Sequence, residues 1–284
     1  MPKFKARISP KGTLRLVGIF LILVAFGILI YYFFFSKRDF IEKFETNNWL
    51  DGIDAIYWIN LDRSIDRKEW MERLFQDPIF QNVPNKRIDA VDGKKSGIIE
   101  SMLIKDRMSN ASDAEYGCLL SHLKAINEFS KSAFKNIIIF EDDMTLDLKP
   151  YWKTDMKQII DGAPDDWDII QLYYHSVDNT HKFLDEVYTK NLADGTLSGT
   201  GAYIINKAAA KKLMDKIYEN GKYSLSDEYH HSSDIYLYEE LTSYVYKYPI
   251  FIYKTDNDST IHGGHLNGHE LNKDSIIEVY DKMV

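Results

Sequence analysis

Three consecutive acidic residues, Glu141, Asp142 and Asp143, directly follow the apolar run at residues 137–140. Adjacent carboxylates repel one another, so holding them together costs free energy unless a cation, a helix N-terminus or hydrogen-bond donors offset the repulsion. Hard carboxylate oxygens suit Mg²⁺ or Mn²⁺, and such an ion can bridge the phosphates of an activated substrate. The triplet therefore indicates a metal site at the end of a buried strand. A solvated loop that simply begins after the strand is the alternative interpretation.

The elements that would position this triplet alternate between strands and helices, which is typical of an α/β fold with helices on both faces of a sheet. Ser64 is expected to cap a helix over residues 64–75, and Ser112 and Glu115 have the spacing of a capping box. Strands are predicted at residues 55–61, up to 141, at 168–173 and at 200–205, and further helices at 112–126 and 208–217. Ligands in such sheets bind at the carboxyl ends of strands, where residues 60–62 and 141–143 both lie. One shared site is expected there.

The N-terminal residues are predicted to lie outside the folded domain. Residues 16–35 carry no charge and are long enough to cross a hydrocarbon core of about 30 Å as a helix. The basic residues before this stretch place the short tail in the cytoplasm and the remainder on the lumenal or extracytoplasmic side. We therefore predict a basic cytoplasmic tail (1–15), a transmembrane signal anchor (16–35), a stem (36–52) and a folded domain (53–284). We therefore expect a type II, single-pass membrane protein of the endoplasmic reticulum, the Golgi or a bacterial inner membrane, and a virus-encoded enzyme would use one of these membranes.

Charge and cysteine content narrow the possible partners. The 284-residue chain has a net charge of −8 despite its basic tail, which argues against a nucleic-acid partner. Cys118 is the single cysteine, so no intrachain disulfide can form. Asn110 and Asn257 each begin an Asn-x-Ser tripeptide, which matters only in a eukaryotic secretory lumen.

Several short motifs, in a fixed order from about residue 56 to about residue 249, resemble those of glycosyltransferase family 25. This family includes bacterial lipooligosaccharide galactosyltransferases and the collagen hydroxylysine galactosyltransferases. The matching residues are Ile59-Asn60-Leu61-Asp62-Arg63 with Arg67, Asp89-Ala90-Val91-Asp92-Gly93, Glu115-x-Gly117-Cys118-Leu119-Leu120-Ser121-His122, Glu141-Asp142-Asp143, Asp166-Trp167-Asp168-Ile169-Ile170 and Gly199-Thr200-Gly201-Ala202-Tyr203.

The resemblance implies a GT-A-like nucleotide-sugar-binding sheet, a UDP-sugar donor, most of all UDP-galactose, and Mn²⁺ or Mg²⁺ as cofactor. The ion would stabilise the departing diphosphate. Its expected ligands are Glu141, Asp143 and His262, with His265 and His269 close enough in sequence to compete with His262. The acceptor would be a hydroxyl group of a glycan, a lipid-linked glycan or a protein, and the sequence leaves these open.

Residues at the strand ends and in the small-residue loops are expected to bind the nucleotide sugar: Asn60, Asp62, Arg67, Asp92, His122, Asp142, Gly199, Thr200 and Gly201. Some of these have a competing structural explanation. The role of Asp62 could be limited to shaping a turn, and His122 could be a core histidine. The family is understood to invert anomeric configuration, which requires a carboxylate base for the acceptor hydroxyl. Asp234 is the predicted base, with Asp227 and Glu228 as competitors.

Two other functions use the same residues. A metal-dependent phosphodiester hydrolase would employ the acidic triplet, but we would expect more His and Asp ligand motifs than this chain offers. A non-enzymatic glycan-binding protein derived from a transferase would have lost the triplet or the Asp234 region, and both persist.

Overall fold

The computed structural model describes residues 24, 26, 49–107, 109–176, 184–254 and 266–281, and within the last range the side chains of 273–280. The chain divides into two units, residues 1–48 and 49–284. The predicted tail and, apart from residues 24 and 26, the predicted anchor lie outside the described residues, as do His262 and Asn257. In the part that is described, no helix combines the length and the apolar character needed to cross a membrane.

A seven-stranded sheet forms the centre of the second unit. Its strands are β1 (Ala55–Asn60), β2 (Asn85–Asp89), β3 (Asn136–Glu141), β5 (Ile169–Gln171), β7 (Tyr188–Lys190), β9 (Ala202–Asn206) and β12 (Ser243–Tyr246). The order across the sheet is β2-β1-β3-β9-β5-β12-β7. The pairing directions make β9 and β7 run opposite to the other five strands. The predicted α/β class is confirmed, with a sheet that is mostly parallel.

Three two-stranded ribbons complete the β structure of the described residues. They pair β4 (Met144–Thr145) with β13 (Ile252–Tyr253), β6 (His175–Ser176) with β8 (Leu197–Ser198), and β10 (Tyr218–Glu219) with β11 (Lys222–Tyr223).

The helices are α1 (Ile65–Leu74), α2 (Ile98–Met102), α3 (Asp113–Lys131), α4 (Met156–Asp161), α5 (Lys207–Ile217), α6 (Ser233–Glu240) and α7 (Leu266–Asp281), with short 3₁₀ turns at Pro78–Phe80 and Lys149–Tyr151. The predicted capping box is confirmed: the Ser112 hydroxyl accepts from the Glu115 amide at 3.3 Å, and the Glu115 carboxylate accepts from the Ser112 amide at 2.7 Å. The prediction for Ser64 was partly wrong. Ser64 is the N-cap residue of α1, but its side chain makes no capping hydrogen bond.

Alternating side chains of the central strands build two apolar layers. Tyr57 and Ile59 of β1 belong to a large core with the buried faces of α3 and α5. On the opposite face, Trp58 and Phe140 lie in an aromatic cluster that includes Phe75. Such burial, worth about 25 cal/mol per Å² of apolar surface, fixes the register of β1 and β3 and therefore the position of the residues that follow them.

Two strands are shorter or shifted relative to the prediction. The strand expected at 168–173 covers 169–171, because the amides of Leu172 and Tyr173 both donate to the carbonyl of Ala202, at 2.9 and 3.2 Å, and leave the regular ladder. The strand expected at 200–205 covers 202–206. Gly199, with φ of +107°, turns the chain just before it.

The packed unit begins before residue 53. Trp49 and Leu50 are buried, and the ring of Trp49 stacks on Trp152 at a centroid distance of 4.0 Å. These two residues fall within the segment predicted as a stem.

Candidate active site

The ends of β1 and β3 bring distant polar residues together. The two strands are parallel neighbours with Ile59 opposite Glu141, so Asn60 lies beside the acidic triplet. The Asn60 amide donates to Asp142 Oδ2 at 2.6 Å, and its Oδ1 accepts from Arg87 Nε at 2.9 Å. Asn60 is only 1% exposed. It was predicted to bind the nucleotide sugar, and in the structure its side chain supports Asp142.

Arg67 supplies the positive charge closest to the triplet. It projects from α1, the helix that follows β1, and its Nη1 lies 2.7 Å from Asp142 Oδ1 and 3.0 Å from Asp143 Oδ2. With an exposed fraction of 13% the guanidinium is largely withdrawn from solvent. One arginine facing three carboxylates leaves a surplus of negative charge.

The two aspartates of the triplet resist ionisation. Burial raises the pKa of Asp142 above its ordinary value, against the effects of Arg67 and Asn60. Burial raises the pKa of Asp143 to about 7; Arg67 opposes this increase, and the charges of Glu141 and Asp142 add to it. A divalent cation would reverse this preference, because it favours the charged form of both groups.

Glu141 sits in a different environment from its neighbours. Burial alone would raise the pKa of Glu141, but contact with His122 and the hydroxyl of Thr200 holds it below its ordinary value. Thr200 Oγ1 donates to Glu141 Oε1 at 2.9 Å and also bonds to Ser233 Oγ, at the start of α6, at 2.8 Å. Glu141 is therefore the triplet member most readily ionised.

His122 lies beneath Glu141 and is completely buried. Its Nδ1 is 3.0 Å from Tyr203 Oη. Its Nε2 is 3.4 Å from Glu141 Oε1, but the orientation is not that of a hydrogen bond, and no other group among the described residues provides one. Thr200 and His122, both predicted to bind the sugar, thus hold Glu141.

Two oxygen atoms of the triplet are available to a cation. Within the described part of the chain, neither Asp143 Oδ1 nor Glu141 Oε2 accepts a hydrogen bond. Hard oxygen donors with surplus negative charge fit Mn²⁺ or Mg²⁺. The third predicted ligand, His262, lies outside the described residues.

A first cavity, of about 80 Å³, opens between the end of β1, the loop after β2 and α3. Arg67, His122 and Asp142 line it, together with Asp92, whose pKa is lowered by an ion pair with Arg63. Asp62 lies on the surface instead: its side chain is 71% exposed and pairs with Arg87 at 2.7 Å. The structure therefore brings Asp92 to the cavity, whereas Asp62 is not among the residues that line it.

A close approach between the loop after β2 and α3 forms one wall of this cavity. A Cβ on Gly93 would lie 1.7 Å from the Asp113 carbonyl oxygen, and one on Gly117 would lie 2.8 Å from the Val91 carbonyl oxygen. Ser121 Oγ accepts from the Val91 amide at 2.8 Å. The small residues at 117 and 121 let this loop pack closely against α3.

A second cavity, of about 460 Å³, lies on the other side of Glu141. Asp234 lines it from the first turn of α6, together with Glu115, His230 and Thr200. Of the acids that compete with Asp234, Asp227 forms a surface pair with Lys105 at 3.9 Å. Cys118 and Glu141 line both cavities, so they mark the junction between them.

The Gly199-Thr200-Gly201 turn is shaped by protein contacts. A Cβ on Gly199 would meet the Tyr173 ring at 2.8 Å, and one on Gly201 would meet the Met144 methyl at 2.7 Å. The Gly199 carbonyl accepts from Tyr238 Oη at 2.7 Å. The glycines therefore let the turn pack tightly and deliver Thr200 to Glu141.

Comparison with known proteins agrees with the motifs. Residues 53–229 match the model of glycosyltransferase family 25 (LPS biosynthesis protein). Procollagen galactosyltransferase 1 of Danio rerio is 28% identical over 179 residues, which cover 57% of this chain and 28% of that protein. Procollagen galactosyltransferase 2 of Homo sapiens is 29% identical over 178 residues, again 57% of this chain and 28% of that protein.

A third relative carries a different description. The probable inactive glycosyltransferase 25 family member 3 of Bos taurus is 25% identical over 177 residues, covering 57% of this chain and 29% of that protein. The chain thus spans less than a third of the length of these curated relatives. Among solved structures, mouse xyloside xylosyltransferase 1 gives a TM-score of 0.29 at 13% identity, covering 69% of this chain and 74% of that one, too low a likeness to support an argument.

Proposed function

Since the chain belongs to glycosyltransferase family 25, we propose that it is a hexosyltransferase that moves galactose from UDP-galactose to a hydroxyl group of a glycan, a lipid-linked glycan or a protein. The observation that supports this most directly is the position of Glu141 between two cavities, one beside the acidic triplet and one beside Asp234. A transferase needs such an arrangement, because donor and acceptor must meet at one point from two sides. The names of the procollagen galactosyltransferase relatives support galactose as the sugar.

On the donor side, the nucleotide sugar occupies the first cavity. Asp143 and Glu141, with His262, would hold Mn²⁺ or Mg²⁺ in a GT-A-like site, and the ion would neutralise the charge that grows on the departing diphosphate. Asn60 and Arg67 fix Asp142 and reduce the repulsion within the triplet. Asp92 and Asp142 line the same cavity, which supports a role for both in contacting polar groups of the donor.

On the acceptor side, Asp234 acts as the general base in the second cavity. It removes the proton of the acceptor hydroxyl as that oxygen attacks the anomeric carbon from the face opposite the diphosphate, which inverts the configuration. The amide of Ile235 donates to Asp234 Oδ1 at 3.1 Å and orients the carboxylate. The proposal includes an N-terminal membrane anchor that places this domain on the lumenal or extracytoplasmic side.

The test is release of UDP by the full chain, purified in detergent, from a panel of UDP-sugars with and without Mn²⁺. We expect slow Mn²⁺-dependent hydrolysis of one donor and a loss of about 100-fold or more in Asp143→Ala, the scale seen when one electrostatic group is removed. Asp161→Ala is the matched control, because Asp161 is an exposed aspartate whose one ion pair among the described residues is with Lys157 on α4. Equal rates in wild type and Asp143→Ala would contradict the metal role of Asp143.

A second variant tests the role of the acceptor cavity. Asp234→Asn should retain Mn²⁺-dependent binding of UDP but lose transfer to an acceptor. Transfer at close to the wild-type rate would show that Asp234 is not the base.

A second candidate is a non-enzymatic member of the family, and the relative described as probably inactive favours keeping it. It predicts no turnover of any donor. If UDP also fails to bind in the presence of Mn²⁺, that candidate replaces the first.

A further inference from the structure

We propose that Cys118, His122 and Glu141 form a second cation site, for a thiophilic divalent metal such as Zn²⁺, at the junction of the two cavities. One ligand atom from each residue, the thiol sulfur, a ring nitrogen and a carboxylate oxygen, lies within 4.8 Å of the others. The site is separate in chemistry from the oxygen-lined position of Asp143, although it shares Glu141 with it.

Secondary structure presents these three ligands from rigid elements. Cys118 and His122 are four residues apart on α3, so both side chains lie on one face of the helix. Glu141 ends β3, which the sheet fixes in place. Tetrahedral zinc, with Zn–N and Zn–O near 2.0 Å and Zn–S near 2.3 Å, requires ligand separations of about 3.3–3.6 Å. The His122 to Glu141 distance of 3.4 Å already meets this requirement. The Cys118 sulfur, which lies within 4.8 Å of the other two ligand atoms and contacts Ser233 Oγ at 3.4 Å, would leave Ser233 to complete the site.

The buried ring of His122 is the second observation that points to a ligand. It is fully buried, yet its Nε2 has no hydrogen-bond partner among the described residues and is directed at Glu141. When Nδ1 donates to Tyr203 Oη, Nε2 is the ring nitrogen left to bind a cation. A cation between Nε2 and the Glu141 carboxylate would contact both groups. Tyr203 is then the outer partner that orients a metal-binding histidine.

The donor set selects the type of metal. Thiolate and imidazole ligands favour Zn²⁺, whereas Mn²⁺ and Mg²⁺ prefer oxygen. On coordination the Cys118 thiol releases its proton to solvent and a metal–sulfur bond forms. Because Cys118 and Glu141 line both cavities, a metal held there has an entry path and an open fourth position.

A functional consequence follows from the shared carboxylate, and this part depends on the proposed transferase function. Zn²⁺ bound through Glu141 withdraws that carboxylate from the Mn²⁺ or Mg²⁺ that supports departure of the diphosphate. We therefore expect micromolar Zn²⁺ to inhibit transfer in the presence of excess Mn²⁺.

The test begins with binding and does not need activity. Cys118 is the only cysteine of the chain, so a thiolate-to-metal charge-transfer absorption on titration of the full-length protein with Co²⁺ or Cd²⁺ reports this residue alone. We expect one equivalent of Co²⁺ to give this band together with the visible spectrum of a tetrahedral site. Zn²⁺ should displace the Co²⁺, and Cys118→Ser should abolish the band.

Two further variants decide whether the site is built by all three residues. Glu141→Gln and His122→Asn should each weaken binding, and Tyr203→Phe should weaken it by about 10–100-fold while keeping the band. Glu141 is partly exposed, so Glu141→Gln is informative even if His122→Asn does not fold. Asp161→Asn serves as the remote control. An absent band, or a band of unchanged affinity in Glu141→Gln, would overturn the proposal by showing that the thiol binds no metal or binds it alone.

The activity arm comes last. Zn²⁺ should inhibit the wild type and fail to inhibit Cys118→Ser, each measured relative to its own uninhibited rate. If the charge-transfer band appears but no transferase activity is found, the metal site stands and the proposed function fails.

Discussion

Three adjacent carboxylates have three different local environments in this protein. Asp142 is held by Asn60 and Arg67, Asp143 is held by Arg67, and Glu141 is held by Thr200 above His122. The sequence predicted the triplet as a unit, because adjacent residues at a strand end share a neighbourhood. It could not predict how the three acids divide their partners, since those partners lie about 60 to 80 residues away in the chain.

Protonation of Asp143 makes the stability of the metal-free protein depend on pH. Its pKa is raised from 3.8 to about 7 on folding, so the folded state binds more protons than the unfolded state between these values. The contribution of this group to the free energy of unfolding is therefore complete below about pH 4 and lost as pH rises through about 7. In EDTA, Asp143→Asn should be more stable than wild type at pH 8, and the difference should shrink toward zero as pH approaches 4. Urea unfolding of both proteins at several pH values measures it, and a difference that is the same at every pH would contradict the assignment.

His122 is buried like a core histidine but faces the candidate site. His122 was interpreted as either a sugar ligand or a core histidine, and the structure buries it while directing Nε2 at the site. The spacing of Cys118 and His122, four residues apart on a predicted helix, suits a pair of metal ligands and is the sequence signal that agrees with the proposed cation site.

At the scale of elements, the predictions that rest on clear sequence patterns are confirmed. The first strand, the strand that ends at Glu141, the capping box of α3 and helix α5 follow from apolar periodicity and capping chemistry. β2 was not predicted as a strand, because its sequence Asn-Lys-Arg-Ile-Asp has one apolar residue and its edge position needs no more. The antiparallel insertion of β9 between β3 and β5 was also beyond prediction, since it depends on pairing between distant segments.

The contact between α3 and the loop after β2 allows a test of packing. Gly93→Ala places a methyl group 1.7 Å from a backbone oxygen, so the loop must move, and we expect a loss of at least about 3 kcal/mol in the free energy of unfolding. The matched control is Gly97→Ala, where the Cβ has open space but φ is +73°, and the expected cost is about 1 kcal/mol.

The Gly93→Ala and Gly97→Ala variants can also be compared by their binding of the donor. Because Asp92 precedes Gly93 and lines the first cavity, Gly93→Ala should also raise the KM for the donor, whereas Gly97→Ala should not. Chemical denaturation measures the loss in the free energy of unfolding for each variant. Equal losses for Gly93→Ala and Gly97→Ala would show that the loop moves to accommodate the methyl group at no additional cost.

At the scale of the whole molecule, the beginning of the packed unit is a testable boundary. A fragment of residues 49–284 keeps Trp49 and Leu50, which are 4% and 0% exposed, whereas a fragment of 53–284 loses both. Loss of these two side chains should lower the free energy of unfolding by at least about 3 kcal/mol, as for large core truncations. Thermal unfolding of the two fragments side by side measures this, and equal midpoints would place the start of the core after residue 52.

The order of the strands along the chain also affects folding during synthesis on the ribosome. Arg67 leaves the ribosome 75 residues before its partner Asp142, which at about 5–20 residues per second is an interval of about 4–15 s. Strand β9, which covers the edge of β3, begins a further 61 residues after β3 ends. Until β9 has been synthesised, the Ile-Ile-Ile-Phe stretch at 137–140 has an unpaired strand edge. This edge is a template for pairing between nascent chains. The yield of folded protein is therefore expected to depend on elongation speed and on the crowding of neighbouring ribosomes.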